Sequence, residues 1–170
     1  GYLENRSPDG RFSYNLTTPF KAIASLGLIF LDQGLISVDY EYLNYSMARL
    51  NSNEYSFSDE NRNIKDRFNQ GQNLKIGAEY RYKIFSFRAG TVMQSSPYES
   101  GFNYKEGNRS AISYTGGLGI KGDNFFLDLG YGYTKTSGNY SPYTLTNEET
   151  PSASVTSTIN RFMMTFGVKF

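Results

Sequence analysis

The stretch that decides the fold is RFMMTFGVKF, residues 161–170. Its even-numbered residues are all apolar, whereas Arg161 and Lys169 lie on the odd-numbered parity. Hydrophobicity therefore repeats every second residue, which is the period of a β-strand with one apolar face. The same alternation recurs throughout the chain and predicts an all-β protein of about seven strands. The predicted strands span 11–30, 35–47, 72–83, 84–94, 109–121, 124–136 and 157–170.

The first predicted strand is the longest and contains Pro19 without a change of phase. Because proline cannot donate to a strand ladder, we expect a bulge or an unpaired position there. The connections alternate between tight turns and long polar segments. Tight turns are predicted at 31–34, 82–84 and 121–124, and long segments near 48–71, 95–108 and 137–156, with a short helix at 64–68 in the first of them.

Composition excludes several classes of protein. The chain has 170 residues, which is about one domain, and 17 Lys+Arg against 16 Asp+Glu give a formal charge of +1, which argues against a nucleic-acid partner. There is no Cys, and hence no disulfide framework or thiolate metal site. The longest nearly apolar run, Ala22–Leu31, is far shorter than the about 20 residues of a membrane-spanning helix.

The sequence offers no catalytic constellation. There is no His, so serine has no base with which to form a triad. Asp39 and Glu41 share one face of a predicted strand, but the wall of a barrel accounts for such a pair. We therefore predict that the protein is not an enzyme and needs no cofactor.

One acidic segment has the spacing of a calcium loop. Asp59, Asn61 and Asn63 match its first ligand positions. Position six, however, is Ile64 rather than Gly, and position twelve is Gln70 rather than Glu. A solvated loop without a metal is the favoured interpretation.

Two β architectures fit a period of two. A soluble barrel or sandwich buries its apolar parity, whereas an outer-membrane barrel turns that parity toward lipid. The membrane architecture is favoured because the tight turns all fall at one end, and because a soluble barrel would expose the small-residue parity of every strand. Aromatic residues of the apolar parity also cluster near strand ends, as in interface girdles: Phe30, Tyr82, Phe85, Phe125 and Phe170 at the tight-turn end, and Tyr42, Tyr133 and Phe162 toward the long loops.

The terminal aromatic residue sets the predicted orientation. A last strand that ends in Phe or Trp resembles the C-terminal signature of bacterial outer-membrane proteins. This predicts a periplasmic C-terminus, periplasmic tight turns and extracellular long loops. Single-chain bacterial barrels have an even number of at least eight strands, so we expect residues 1–170 to be the C-terminal part of a longer barrel. The same expectation explains why no signal peptide is visible.

Several segments together resemble the FadL/TodX family of outer-membrane transport proteins, in the versions found in Bacteroidetes, a Gram-negative group. They are YNLTTPF (14–20), GLISVDYEY (34–42), LKIGAEYR (74–81), FRAG (87–90), SPY (96–98) and the final FGVKF (166–170). The resemblance implies a 14-stranded monomeric barrel with an N-terminal plug. It places the plug, the kinked strand of the lateral opening and the main capture loops in the missing N-terminal half.

The resemblance also implies a function, the passive uptake of long-chain fatty acids or other hydrophobic small molecules. The alternative is a FadL-like barrel that serves as an attachment or shuttle component of a protein-secretion system. The expected partners are outer-membrane lipid, a hydrophobic ligand and the missing N-terminal half of the barrel. The alternative function adds another outer-membrane protein at the extracellular rim.

The candidate binding residues lie on the polar parity, which would face the lumen. Arg88 and Arg161 are candidates for holding a carboxylate, because Arg pairs with carboxylates in a bidentate manner. A structural network of ion pairs between neighbouring strands is the favoured alternative, with Lys75 or Arg161 as the expected partner of Asp128. Phe126 and Met163 interrupt the polar parity, so they either line an apolar passage or pack beneath the plug.

Overall fold

The computed structural model describes residues 13–98, 110–140 and 153–169. The expected first segment 1–10 and the terminal Phe170 lie outside the described residues. Within them the chain forms nine β-strands, one α-helix and one 3-10 helix. In chain order they are β1 (Asn15–Thr17), β2 (Phe20–Phe30), β3 (Gly34–Asn44), the 3-10 helix (Tyr45–Met47), β4 (Arg49–Asn51), α1 (Ser58–Arg67), β5 (Gln70–Tyr82), β6 (Phe85–Gln94), β7 (Ser110–Lys121), β8 (Phe125–Tyr140) and β9 (Ala153–Val168).

Seven of these strands form one antiparallel sheet in the order β2-β3-β5-β6-β7-β8-β9. The all-β prediction is confirmed, and the seven strands of this sheet match the predicted number, with β1 and β4 in addition. The sheet is open, because β2 pairs only with β3 and β9 only with β8 among the described strands. Both outer edges of the sheet thus leave a row of backbone groups without a neighbouring strand in this part of the chain.

The connections are polarised as the sequence predicts. The turns at 31–33, 83–84 and 122–124 all lie at one end of the sheet, and the strand ends at Asn44, Gln70, Gln94, Ser110, Tyr140 and Ala153 lie at the other. Leu31, Asp32 and Lys83 adopt positive φ angles of 51°, 51° and 53°. This is the left-handed region used in tight hairpin turns, and it is unfavourable for a residue such as Leu.

The prediction of one continuous strand over 11–30 is wrong. The ladder is interrupted at Thr18 and Pro19, directly before β2 begins, and β1 leaves the large sheet to pair with β4. Asn15 lies opposite Asn51 in that small two-stranded ladder. Of the two expected outcomes at Pro19, the unpaired position is confirmed, because a proline without an N–H separates two strands and does not form a bulge within one.

The predicted short helix is present but begins earlier and is longer. Residues 58–67 form α1, and its end at Arg67 is close to the predicted 68. Acidic Asp59 and Glu60 occupy its first turn and basic Lys65 and Arg67 its last, which suits the helix dipole. No helix in the described residues is long and apolar enough to span a membrane.

The register gives the large sheet one apolar and one polar face. Residues that lie opposite each other on paired antiparallel strands point to the same side, so a row can be followed across all seven strands. One apolar row is Phe30, Gly34, Tyr80, Phe87, Leu118, Leu129 and Met164. One polar-face row is Gly27, Ser37, Gly77, Gly90, Thr115, Gly132 and Arg161.

The apolar face is uncovered. Among the described residues no hydrophobic side chain is fully buried, and Phe162 and Met164 are 82% and 73% exposed. The sheet therefore has no hydrophobic core of its own. Its apolar face needs an apolar environment that the described residues do not supply.

Candidate functional site

A cluster of four charged side chains, which we call the charge cluster, lies on the polar face. Arg88 on β6 donates from Nε to Glu79 Oε2 at 2.7 Å and from Nη1 to Asp128 Oδ1 at 2.5 Å. Arg81 donates from Nε to the second oxygen of Glu79. Two cations and two carboxylates make the charge cluster neutral overall. The network interpretation thus describes Arg88 better than a vacant carboxylate site does.

Glycines on β7 allow Arg88 to reach across that strand to Asp128 on β8. Gly117 lies opposite Arg88, and Gly119 lies opposite Asp128. A Cβ at Gly119 would lie 2.5 Å from Asp128 Oδ1 and 3.3 Å from Arg88 Nη1. The partner of Asp128 is therefore Arg88, and the expected pairing with Lys75 or Arg161 is wrong.

A second ion pair ties together the three strands at the β2 edge of the sheet. Lys21 Nζ lies 2.6 Å from Glu41 Oε2, and Asn73 Nδ2 donates to Glu41 Oε1 at 2.6 Å. Lys75 lies one row away, opposite Asp39 on β3. These polar contacts join neighbouring strands and stabilise the sheet.

Arg161 is a polar-face cation without an ion pair in the described residues. It lies on the edge strand β9. The other six positions of its cross-strand row are Gly, Ser or Thr, so nothing bulky flanks it along that row. Of the two arginines proposed for a carboxylate, Arg161 is the one that can receive it.

The two apolar candidates occupy different levels of the polar face. Met163 is 59% exposed and lies two residues from Arg161, on the same side of β9. Phe126 lies near the tight-turn end, where its ring covers Gly167. Only Met163 is placed to contact the tail of a ligand whose carboxylate binds Arg161.

The five sequence candidates do not form one site. Arg161 and Met163 are neighbours on β9, but Arg88 lies three strands away, or about 14 Å at the usual strand spacing. Lys75 on β5 is a further strand away, roughly 19 Å from β9. The structure therefore reduces the candidate site to Arg161 with Met163 beside it.

Sequence reasoning missed two open grooves on the apolar face. The first, which we call the central groove, has a volume of about 690 Å³ and lies over Gly116, where an added Cβ would meet nothing within 4 Å. Its walls are the side chains of Phe87, Leu118, Leu129, Tyr131, Phe162 and Met164. A glycine on the apolar parity of β7 was the only sequence signal for it.

The second, which we call the outer groove, lies toward the long connections and has a volume of about 580 Å³. Its apolar lining comes from Tyr40, Leu74, Met93 and Ile112, and its charged residue is Lys135. Because these residues come from five strands, only the register could have brought them together.

The long connection between β3 and β5 is folded. The amide of Asn61 on α1 donates to Leu50 O and accepts from Leu50 N, both at 2.8 Å, and so acts as a partner for β4. Tyr55 donates from its hydroxyl to Glu60 Oε1 at 2.9 Å, and this hydrogen bond to a carboxylate raises the pKa of Tyr55. We refer to β1, β4 and α1 together as the loop subdomain.

The calcium-loop spacing falls on α1, so the expected solvated loop is wrong there. Successive helical residues rotate by about 100°, and Asp59, Asn61 and Asn63 cannot converge on one ion. Asn61 is moreover engaged with the backbone of Leu50. The described residues contain no group of His, Cys, Asp and Glu that could hold a metal ion.

Comparisons of the chain with protein-family models, with curated proteins and with solved structures gave no match.

Proposed function

We propose that this sheet is part of the wall of a FadL/TodX-like outer-membrane β-barrel that admits long-chain fatty acids or other hydrophobic small molecules by passive diffusion. One observation carries the proposal. The apolar face is exposed across all seven strands, while the opposite face carries the charges and the small polar residues. In lipid the apolar face is solvated and the polar face lines an aqueous lumen.

The dimensions of the sheet support a membrane location. Its seven strands are 10 to 16 residues long, and a tilted membrane-spanning strand needs about 9–11. On the apolar face, Tyr80, Tyr82 and Phe85 lie near the tight-turn end, and Tyr40 and Tyr42 lie toward the other end. Aromatic side chains at two levels match the two interfaces of a bilayer.

The open edges support a larger barrel. In hydrocarbon each unsatisfied backbone group costs several kcal/mol, so the edges of β2 and β9 require further strands. The N-terminal half that the family resemblance implies would supply those strands and the plug. The tight turns then face the periplasm and the long connections face the exterior.

The polar face supports the passage of an amphiphilic ligand. Arg161 offers a positive charge without a partner among the described residues, and Met163 offers an exposed apolar contact beside it. Ile23 and Ile29 on β2 are also exposed on this face, at 58% and 75%. A lumen with a cation and scattered apolar side chains fits a fatty acid better than it fits an ion.

A cysteine scan along β8 tests the membrane assignment, because residues 1–170 contain no cysteine that would react in place of the introduced one. The intact protein without any introduced cysteine gives the background. The intact protein is reconstituted in phosphatidylcholine vesicles with single substitutions on alternating faces: Leu129→Cys and Tyr131→Cys on the apolar face, Gly132→Cys and Thr134→Cys on the polar face. A water-soluble maleimide is expected to modify positions 132 and 134 but to reach 129 and 131 only after unfolding. Equal modification of all four positions would overturn the membrane assignment.

Uptake of radiolabelled oleate by cells that express the intact protein tests transport. Arg161→Ala is expected to lower uptake roughly tenfold, since a charge-assisted hydrogen bond is lost. The matched control is Lys65→Ala, which removes an exposed charge on α1 outside the large sheet. Unchanged uptake with Arg161→Ala would exclude Arg161 from the path of the ligand.

One observation favours the alternative function in protein secretion. The folded connection between β3 and β5, which contains most of the loop subdomain, presents exposed side chains on an ordered scaffold, including Met47 and Tyr55 at about half exposure. Such a surface at the rim suits the docking of another outer-membrane protein. Mass spectrometry of the purified intact protein separates the two functions, because a channel should retain fatty acids or detergent and a docking component should retain a protein.

A further inference from the structure

We propose that the outer groove binds a membrane lipid whose phosphate headgroup has a net negative charge, with Lys135 facing that phosphate. The inference rests on the proposed membrane location of the apolar face and adds to it a specific lipid site. The site is distinct from the polar face and its passage, because the residues that line the groove lie on the opposite side of the sheet.

Lys135 carries an isolated positive charge. Within the strands that the structure describes, Lys135 is the only charged residue on the apolar face. It is exposed, and no described residue forms an ion pair with it. A lone cation on a lipid-facing surface requires an anion or water at the same level of the bilayer.

Lys135 lies at the level of a group of tyrosines on the apolar face. Its row across the sheet contains Tyr40, and Tyr42 and Tyr133 lie within two residues of that row. Tyrosines of a membrane protein concentrate at the headgroup level. A lysine there extends its alkyl chain along apolar surface and keeps its ammonium among the headgroups.

The outer groove changes from apolar to polar along its length. Leu74, Met93 and Ile112 are apolar and occupy the same row as Lys135. The neighbouring positions further toward the long connections are polar, namely Gln72, Ser110 and Ser137. An amphiphile with an acyl chain on the apolar part and a hydrogen-bonding, anionic headgroup at the polar part complements both.

Lipid could reach the outer groove in a complete barrel. The strands that line the outer groove are β3, β5, β6, β7 and β8, all of them interior strands of the sheet. Further strands would join at β2 and β9, so they would leave the groove open to lipid. The groove is thus available in the complete barrel that the proposed function requires.

Native mass spectrometry of the intact protein tests the proposal. The protein in detergent is mixed with equal amounts of phosphatidylglycerol and phosphatidylcholine that carry identical acyl chains, and the bound lipid is counted. We expect phosphatidylglycerol to be preferred about fivefold, in line with one lysine at an anionic surface. Lys135→Gln should abolish the preference, Lys135→Arg should retain it, and Lys65→Gln on α1 should leave it unchanged.

Each outcome bears on the proposal. Equal retention of the two lipids, or an unchanged preference in Lys135→Gln, overturns the lipid site. Displacement of the bound lipid by inorganic phosphate at the same concentration as the lipid also overturns it, because the acyl chain would then add nothing to the affinity. Flotation of the same protein with phosphatidylcholine vesicles is measured in parallel. Protein that floats without lipid preference contradicts only this inference, whereas protein that fails to float contradicts the proposed function as well.

Discussion

At the scale of single residues, Leu129 and Asp128 are neighbours on β8 that meet opposite environments. Leu129 is 47% exposed on the apolar face between Leu118 and Met164, whereas Asp128 accepts a hydrogen bond from Arg88 on the polar face. In the membrane-embedded barrel that we propose, Leu129→Arg should lower the free energy of unfolding of the intact protein by roughly 2–4 kcal/mol, because the charge would meet hydrocarbon. Asp128→Asn should cost less, about 1–2 kcal/mol, because an aqueous lumen would hydrate the amide and only the charge on one hydrogen bond is lost. Reversible unfolding in lipid vesicles measures both.

Leu129→Trp separates a lipid-facing leucine from a core leucine. Lipid accommodates the larger side chain at little cost, whereas a packed core loses about 1–3 kcal/mol to overpacking. Strong destabilisation by Leu129→Trp, together with tolerance of Asp128→Leu, would show that the two faces have been assigned the wrong way round.

Gly119 makes the charge cluster possible, and its substitution gives a second prediction at this scale. Gly119→Ala places a methyl group against Asp128 Oδ1 and Arg88 Nη1 and should lower the free energy of unfolding by about 1–2 kcal/mol. The matched control on the same strand is Gly116→Ala, whose methyl group meets nothing within 4 Å. In an Asp128→Ala background the cost of Gly119→Ala should largely disappear. An equal cost in both backgrounds would mean that Gly119 serves the backbone and not the ion pair.

The alternation of residues predicts which face a side chain takes but not which side chains meet. Arg88 and Arg161 share the polar parity, and the sequence therefore treats them as equivalent candidates. Register and strand order separate them, because Glu79 lies opposite Arg88 whereas Gly132 lies opposite Arg161. These pairings depend on the lengths of connections and on hydrogen bonding across the sheet, which periodicity does not encode.

At the scale of elements, the strands were predictable where their two faces differ. The apolar parity of β9 is unbroken from Phe162 to Val168, and that part was found from the sequence. β8 continues to Tyr140 and β9 begins at Ala153, beyond the predicted limits. In these extensions polar residues occupy the parity that is apolar elsewhere, namely Ser137, Asn139, Ser154 and Thr156, so the alternation that marks the strands is lost although the ladder continues.

The loop subdomain shows what a sequence pattern cannot provide. The segment SDENRNIKDR of α1 has a single apolar residue, Ile64, so no helical stripe identifies it. The helix is instead held by the Asn61 amide against Leu50. β1 keeps the parity of β2, and its separate pairing with β4 could not be read from alternation.

Asn61 therefore carries a prediction for the element as a whole. Asn61→Ala leaves the N–H and C=O of Leu50 without their side-chain partner and should loosen β4 against α1. We expect hydrogen exchange at 49–51 to quicken several-fold while the exchange of β5 to β9 stays the same. The control Asn63→Ala alters an exposed neighbour on the same helix. Equal effects of the two variants would contradict the role given to the Asn61 amide.

At the scale of the whole molecule, the polarity of the connections predicts the topology. Protease added to intact cells should cut first within 52–57, an irregular stretch between β4 and α1, or within 141–152, between β8 and β9. The turn at 122–124 should resist cleavage because it lies at the opposite end of the sheet. The fragments are identified by mass spectrometry, with cells permeabilised in the outer membrane as the control. Cleavage at 122–124 in intact cells would reverse the orientation.

The open edges of the sheet give the last prediction. In the described residues β2 and β9 each have one neighbouring strand, and in lipid the unsatisfied groups along the two edges would cost several kcal/mol each. No buried hydrophobic core in these residues offsets that cost. Residues 1–170 expressed alone should therefore not form a stable closed barrel in detergent. A polypeptide that supplies the remaining strands should rescue folding, measured as heat-modifiable migration and protease resistance. A heat-modifiable, protease-resistant monomer of residues 1–170 alone would refute the larger barrel, because the sheet would then have satisfied its own edges.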